Sequence, residues 1–128
     1  MKIGDAASRT QLPSKTVRYY ADIGLVTPQR HSENGYRDYD DKAISKLIFV
    51  RRAREFGFSI EDCRQLLGLY ENRNRSSRDV KELTLQHLDN IEQKMRELQS
   101  LHDELSHLAK ACNGDERPDC PIISGLSG

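Results

Sequence analysis

The chain has 128 residues, of which 36% are hydrophobic and 31% charged, and this composition suits one compact domain with an appendage. The mean hydropathy of −0.75 and the lack of a long apolar run exclude a membrane-spanning protein, so we expect a cytoplasmic chain without membrane partners. Residues 1–70 hold 12 basic and 9 acidic side chains whereas residues 71–128 hold 8 and 11, which favours an acidic partner for the first half.

Two short helices open the chain in the pattern of a helix-turn-helix. The first is predicted over residues 3–8. The second follows Pro13, with Ser14 as its expected N-cap and Gly24 as the residue that ends it. The stretch from Leu25 to Tyr39 is predicted to be extended, because Pro28 breaks helices and Asn34-Gly35 is a strong hairpin signal. A basic hairpin after a helix-turn-helix is typical of a winged DNA-binding domain.

The second helix and the wing carry the side chains that DNA binding requires. Basic groups neutralise phosphates, and tyrosine or threonine hydroxyls can fix the position of the protein on the duplex. One or two tyrosines must also fill the core of so small a domain. Tyr20 or Tyr39 is expected to be such a core residue and not a DNA contact. The predicted DNA contacts are Lys15, Thr16, Arg18, Tyr19, Arg30, Tyr36 and Arg37.

Four further helices are predicted after the wing, the last of them a short one near the C-terminus. Asp40 or Asp41 is expected to cap the third helix of the chain, and Ser59 to cap the fourth. From residue 79 to residue 111 there is neither proline nor glycine, and apolar side chains recur with a period of 3.5 residues. This seam predicts a dimerisation helix, although packing back on its own domain is an alternative. The two rows of the seam are Leu88, Met95, His102 and Ala109, and Ile91, Leu98, Leu105 and Cys112.

Two cysteines bracket a seven-residue loop after the long helix, and they are the predicted metal ligands. The thiolates of Cys112 and Cys120 suit a soft monovalent ion such as copper(I), because two sulfurs satisfy linear coordination whereas zinc usually takes four ligands. Pro121 is expected to start a short helix whose N–H groups point toward Cys120. Cys63 lies on an apolar helical face and is predicted to be a core residue. None of the four histidines has a ligand partner at suitable spacing.

The fold class predicted from these elements is mainly α: a winged helix-turn-helix domain, a long dimerisation helix and a short metal-binding loop. The expected divisions are a DNA-binding domain over residues 1–70, a hinge loop over 71–78, the dimerisation helix over 79–111, and the loop with a short helix over 112–128.

The chain resembles the MerR family of transcription regulators over nearly its whole length. The similarity is carried by Val17-Arg18-Tyr19-Tyr20, by Gly24-Leu25-Val26 with Pro28, by Asn34-Gly35-Tyr36-Arg37 with Tyr39, and by Phe56-Gly57-Phe58-Ser59. The resemblance implies a homodimer that binds operator DNA and, with its inducer, bends and untwists a promoter so that RNA polymerase can engage it. His31 departs from the arginine of copper-sensing relatives, and because Arg30 is adjacent we expect the phosphate contacts of the wing to be shifted by one position.

Copper-sensing members of the family resemble this chain at four positions together, namely Ser77, Lys81, Cys112 and Cys120. The resemblance implies that Lys81 helps to neutralise the anionic site. It also implies that Ser77, from the partner subunit, replaces a third cysteine of divalent-ion sensors. Copper(I) is therefore the expected inducer, with silver(I) and gold(I) as mimics, and the expected targets are copper-efflux genes.

Other functions remain open at this level. A sensor of zinc, cadmium or mercury is disfavoured by Ser77, and a thiol oxidation sensor needs sulfurs in bonding geometry, which the loop does not guarantee. A copper chaperone would not need the basic wing. An enzyme is not expected, because no set of nucleophile, base and orienting group is visible.

Overall fold

The computed structural model describes residues 1–30 and 35–128, and helices dominate it, so the predicted fold class is confirmed. The elements are α1 (Ile3–Thr10), α2 (Ser14–Asp22), β1 (Gln29–Arg30), β2 (Arg37–Asp38), α3 (Asp41–Glu55), α4 (Ile60–Glu71), α5 (Ser77–Ala111) and α6 (Pro121–Ser127). The chain divides into two compact units, Met1–Lys81 and Glu82–Gly128, which we describe separately. No helix in the described ranges is both long and apolar enough to cross a bilayer.

The N-terminal unit is held together by one hydrophobic core. Helix α1 packs on α2 and α3, and α3 packs on α4. Each large apolar side chain that leaves water in this way contributes roughly 1.5–3 kcal/mol. Tyr20, Tyr39 and Cys63 are buried, as predicted, with Tyr39 and Cys63 fully excluded from solvent. The other large side chains that are almost fully buried are Val17, Val26, Leu47 and Val50.

Helix caps follow the predicted positions in two of three cases. Asp40, not Asp41, caps α3, because its Oδ1 accepts a hydrogen bond of 2.8 Å from the N–H of Ala43. Ser59 caps α4 in the same way through the N–H of Asp62 at 3.1 Å. These bonds satisfy donors that a helix leaves unpaired in its first turn.

The expected N-cap of α2 is wrong by one position. Pro13 is the N-cap, with an extended ψ of 144°, and Ser14 is already helical. The carbonyl of Pro13 accepts hydrogen bonds from the N–H groups of Thr16 and Val17. Proline suits this place because its fixed φ agrees with the entry to the helix and its missing N–H is not needed there. At the other end, Gly24 takes a positive φ of 71°, as a helix-ending glycine should.

The wing is an antiparallel pair in which Gln29 faces Asp38 and Arg30 faces Arg37. Gly35, at the tip, has a φ of 71°. Asn34 of the predicted turn and His31 lie outside the described residues. The N–H of Tyr39 donates to the carbonyl of Met1 at 2.8 Å, so the start of the chain runs beside the exit from the wing.

Helix α5 begins at Ser77, two residues before the expected start at 79, and α4 ends at Glu71. Every residue of α5 is described, and none of them is buried. In the C-terminal unit, α6 approaches α5 closely, since a Cβ atom placed on Gly125 would lie 2.9 Å from Cδ1 of Leu108. The exposed apolar side chains along α5 include Leu85, Leu88, Ile91, Met95, Leu98, Leu101 and Leu105.

Candidate DNA-binding surface and metal site

Helix α2 presents a polar outer face because its apolar face is anchored in the core. Val17 and Tyr20 are buried, so the positions between and before them point away from the interior. Of the predicted contacts on this helix, Lys15, Arg18 and Tyr19 are exposed and Thr16 is half-buried. The ring of Tyr19 is 51% exposed although it lies beside Tyr20, which makes it available to a partner.

A cationic groove of about 450 Å³ lies beside α2 and the wing. It brings together the predicted contacts Arg18, Arg30, Tyr36 and Arg37, whereas Lys15, Thr16 and Tyr19 are not among its lining residues. Several cations in so small a space create a positive potential that suits a phosphate backbone. The lining residues are Lys2, Ile3, Arg18, Arg30, Gly35, Tyr36 and Arg37.

Arg37 has an acidic partner within the N-terminal unit. One terminal nitrogen contacts Oδ1 of Asp22 at 2.6 Å, and the other lies 3.4 Å from the carbonyl oxygen of Arg18. The hydrogen bond to Asp22 is the main reason that the pKa of Arg37 is raised. The ion pair has no net charge, so Arg37 adds less positive potential to the groove than the sequence alone indicates.

Lys2 was not predicted as part of this surface. Its Nζ lies 5.8 Å from the centroid of the Tyr36 ring, within the range of a cation–π interaction. No local pattern marks a lysine at the second position as functional. The hydrogen bond between Tyr39 and Met1 brings it to the wing, and this is a tertiary contact that sequence spacing does not reveal.

The two predicted metal ligands lie together at the end of the chain. Cys112 directly follows α5, and Cys120 is the N-cap of α6. Their sulfur atoms are 3.5 Å apart, both residues are half-buried, and both thiols are free. The separation is well beyond the roughly 2.05 Å of a disulfide bond. The loop therefore brings two reduced sulfurs into contact.

The surroundings of Cys120 favour its thiolate form. Pro121 begins α6, as expected, and the N–H of Ile123 lowers the pKa of Cys120 by hydrogen bonding to its sulfur. The Cys112 thiol and the N–H of Ile122 act in the same direction. Since the thiolate is the form that binds metals, these bonds prepare Cys120 as a ligand.

The donor set fits a soft ion with two ligands. Among residues 1–30 and 35–128, no group of three or more Cys, His, Asp or Glu side chains could hold a metal. Asp115 in the loop is engaged by Arg117, at 2.8 Å from its guanidinium. Cys112 and Cys120 would therefore hold such an ion, and their two thiolates would supply its ligands.

The hinge residues named from the resemblance lie in one cleft of the N-terminal unit. Ser77 and Lys81 line a cleft of about 480 Å³ at the start of α5, together with Val80. Arg73 and Arg75, which were not among the predicted site residues, line it as well. Three cations around one hydroxyl make this cleft suited to an anionic group.

A winged helix-turn-helix with a cationic groove beside its second helix defines a DNA-binding regulator. Two family models match the chain: "MerR HTH family regulatory protein" over residues 1–69 and "MerR, DNA binding" over residues 44–108. The chain belongs to the MerR family, and it is a transcription regulator, not an enzyme. The predicted family membership is thus confirmed.

Known relatives are similar to this chain over nearly its full length. The HTH-type transcriptional regulator HmrR of Rhizobium leguminosarum bv. viciae is 53% identical over 127 residues, covering 99% of this chain and 98% of the relative. The regulator CueR of Salmonella typhimurium is 48% identical over 128 residues, covering 100% and 93%. Among solved structures, the transcription regulator PbrR691 of Ralstonia metallidurans, crystallised in complex with lead(II), is 31% identical in sequence to this chain. The two folds superpose with a TM-score of 0.84 over 98% of each chain.

Proposed function

We propose that this chain is a copper(I)-responsive regulator that activates copper-efflux or detoxification genes. The observation that carries the proposal is the pair of free thiols 3.5 Å apart, with no third potential ligand grouped with them in the described parts of the chain. Two thiolates select a soft monovalent ion, and silver(I) and gold(I) share its charge and geometry. The similarity to regulators named CueR and HmrR supports metal sensing.

Charge balance supports a monovalent ion and assigns roles to the hinge. Copper(I) between two thiolates leaves a net charge of −1, and a partly buried anion needs a compensating cation. We propose that Lys81 supplies it from the partner subunit, with Arg73 and Arg75 adding to the potential of the same cleft. Ser77 offers a hydroxyl where a divalent ion would need another thiolate.

The DNA-binding role is assigned to the outer face of α2 and to the groove. Lys15, Thr16 and Tyr19 lie early enough in α2 to reach base edges, as in other helix-turn-helix proteins. Arg18, Arg30 and Tyr36 contact phosphates from the groove. We expect the inducer-bound dimer to deform promoter DNA so that RNA polymerase engages it, because deformation costs energy that protein contacts can offset.

The division of labour along the chain follows from these roles. Residues 1–70 bind DNA, residues 71–78 act as the hinge, residues 79–111 pair two subunits, and residues 112–128 receive the metal. The exposed apolar seam of α5 supports pairing, since a face of this kind needs a second apolar surface. We expect the dimer to act in the cytoplasm, where thiols stay reduced.

Sensing of oxidants through thiol oxidation is a second candidate function. The sulfur atoms of Cys112 and Cys120 lie closer together than the length of the loop between them requires. Closing the gap from 3.5 Å to a bond of about 2.05 Å is a small movement. In this case two thiols would lose two protons and two electrons to a peroxide and form a disulfide. An oxidation sensor would then respond without any metal.

A competition titration separates these functions. The reduced full-length dimer is titrated with Cu⁺ and Zn²⁺, with Pb²⁺ as a further competitor, while transcription from its promoter is followed in vitro. We expect Cu⁺ to activate and to resist displacement. Preferential filling by Zn²⁺ or Pb²⁺ contradicts the copper assignment, and activation by hydrogen peroxide without metal supports the oxidation sensor instead.

A further inference from the structure

We propose that Asp22 and Arg37 form a latch that fixes the wing against α2, so that Arg37 is a positioning residue for DNA binding and not a phosphate contact. The inference rests on the proposed DNA contacts of α2 and the groove. It also gives an acidic residue a favourable role on a surface that binds a polyanion.

Asp22 is a locally unfavourable choice. It is the last residue of α2, where the helix dipole is negative and cations are preferred. The last turn of α2 contains no basic residue of its own. A carboxylate beside the groove also repels phosphates. Two local penalties at one position indicate a compensating contact elsewhere.

Arg37 supplies that contact from β2. Its guanidinium joins two points of α2, the carboxylate of Asp22 at 2.6 Å and the carbonyl oxygen of Arg18 at 3.4 Å. The shorter of these two contacts, the charge-assisted hydrogen bond to Asp22, is of a kind that is among the stronger hydrogen bonds in proteins. The side chain of Arg37 is 25% exposed and that of Asp22 is 53% exposed, so solvent screens the pair and its contribution is modest. The wing is thereby tied to the helix that it accompanies onto DNA.

The latch determines where other cations are presented. Arg30 is the cross-strand neighbour of Arg37, so holding β2 on α2 also places β1 and Arg30. Arg37 also contacts the backbone carbonyl oxygen of Arg18, so the same side chain links the wing to the residue that carries another cation of the groove. The same end of α2 receives a second cation from α4, since Arg64 donates to the carbonyl oxygens of Ile23 and Gly24. The end of α2 is therefore a fixed point that the wing and α4 share.

Salt dependence distinguishes a latch from a phosphate contact. Each phosphate that a cation neutralises adds close to one unit to the slope of log affinity against log salt concentration. A neutral ion pair adds nothing to that slope. Loss of the latch should therefore lower affinity about equally at every salt concentration, whereas loss of a phosphate contact should flatten the slope.

The test measures binding of the full-length dimer to duplex DNA that was selected from a random pool by the wild-type protein. Arg37→Gln should weaken binding roughly three- to fivefold with the slope unchanged, and Asp22→Asn should also weaken binding even though it removes a negative charge. Arg30→Gln is the matched control and should reduce the slope by about one. Tighter binding by Asp22→Asn, or a flatter slope for Arg37→Gln, overturns the latch.

Charge reversal provides a second arm. Asp22→Arg and Arg37→Asp should each weaken binding, and the double variant should recover most of the loss because the pair is rebuilt in the opposite sense. Failure to recover in a folded protein overturns the proposal, and if the double variant does not fold, the slope of Arg37→Gln decides. The proposed function is tested apart from this, since wild-type binding and copper response do not depend on the outcome for these variants.

Discussion

The two units of the chain contain similar apolar residues but differ in whether these side chains are buried. In the N-terminal unit, the sixteen buried hydrophobic side chains among the described residues lie between Ala6 and Leu67. In the C-terminal unit, neither α6 nor the portion of α5 that belongs to it has a buried residue, and Leu98 is 65% exposed. The first unit therefore owes its stability to contacts within one chain. The second has an unburied apolar face, which we assign to a second copy.

Tyrosine fluorescence can follow one unit without the other. The chain has five tyrosines and no tryptophan, and every tyrosine lies before residue 82. Fluorescence thus reports the unfolding of the N-terminal unit, while sedimentation and transcription report pairing and metal response. Variants in the C-terminal unit should change the second kind of measurement and leave the first almost unchanged.

The largest expected effect comes from the thiol pair. Cys112→Ser or Cys120→Ser should abolish activation by copper(I), because one thiolate cannot complete a two-coordinate site. Operator binding and the tyrosine-monitored unfolding should persist. Transcription in vitro and a DNA-binding titration measure the two properties on the same preparation.

Cys63→Ala is the control for cysteine removal. Cys63 is fully buried in the N-terminal unit, so its loss should lower the free energy of unfolding by about 1 kcal/mol and leave activation intact. A folded Cys112→Ser protein that no longer binds its operator would break the separation between the units.

Pairing through α5 should give the next largest effect. Leu98→Lys places a charge in the seam of both subunits, and each buried leucine is worth roughly 1.5–3 kcal/mol, so the dimer dissociation constant should rise at least about a hundredfold. Sedimentation velocity measures it. Ser100→Lys, on the exposed side of the heptad, should leave the dimer unchanged. A dimer that survives Leu98→Lys contradicts the assignment of this helix to pairing.

A smaller effect is expected at the start of α3, inside the N-terminal unit. Asp40→Ala removes the bond to the N–H of Ala43 and should cost about 1 kcal/mol of unfolding free energy. Asp41→Ala changes the neighbouring, exposed carboxylate and should cost less than half as much. Urea unfolding followed by tyrosine fluorescence compares the two. Equal losses would show that the hydrogen-bonded cap is not the source of the stability.

Most features that a single turn or helix determines agree with their prediction from the sequence. The caps at Asp40 and Ser59, the positive φ of Gly24 and the start of α6 at Pro121 follow from local backbone chemistry. These features depend on neighbours within a few residues, although the N-cap of α2 was placed one residue too late. The buried position of Tyr39 followed instead from the need to fill a small core.

Features that join distant segments were missed. Lys2 reaches Tyr36 only because the chain start runs beside the wing, and Arg37 meets Asp22 across fifteen positions of sequence. The 3.5 Å contact between the sulfurs of Cys112 and Cys120 depends on the conformation of the whole loop. Spacing paired Cys112 with Cys120 as ligands of one metal but could not give their separation, and it gave no partner for Lys2 or Arg37.

The smallest expected effect is a pH dependence of the N-terminal unit. Nζ of Lys46 on α3 lies 2.5 Å from Oε1 of Glu71 on α4, and this hydrogen bond lowers the pKa of Glu71. A carboxyl whose folded pKa is lowered stabilises the fold above its unfolded pKa, and that stabilisation is lost as the pH falls through the folded value. Because Glu71 is 45% exposed, solvent screening limits the contribution to about 0.5 kcal/mol. Glu71→Gln should therefore be less stable than wild type at pH 7 by about that amount and equally stable near pH 3, in urea unfolding followed by tyrosine fluorescence. Glu82→Gln in the C-terminal unit should show no such difference, and a pH-independent deficit for Glu71→Gln would assign its effect to packing and not to the ion pair.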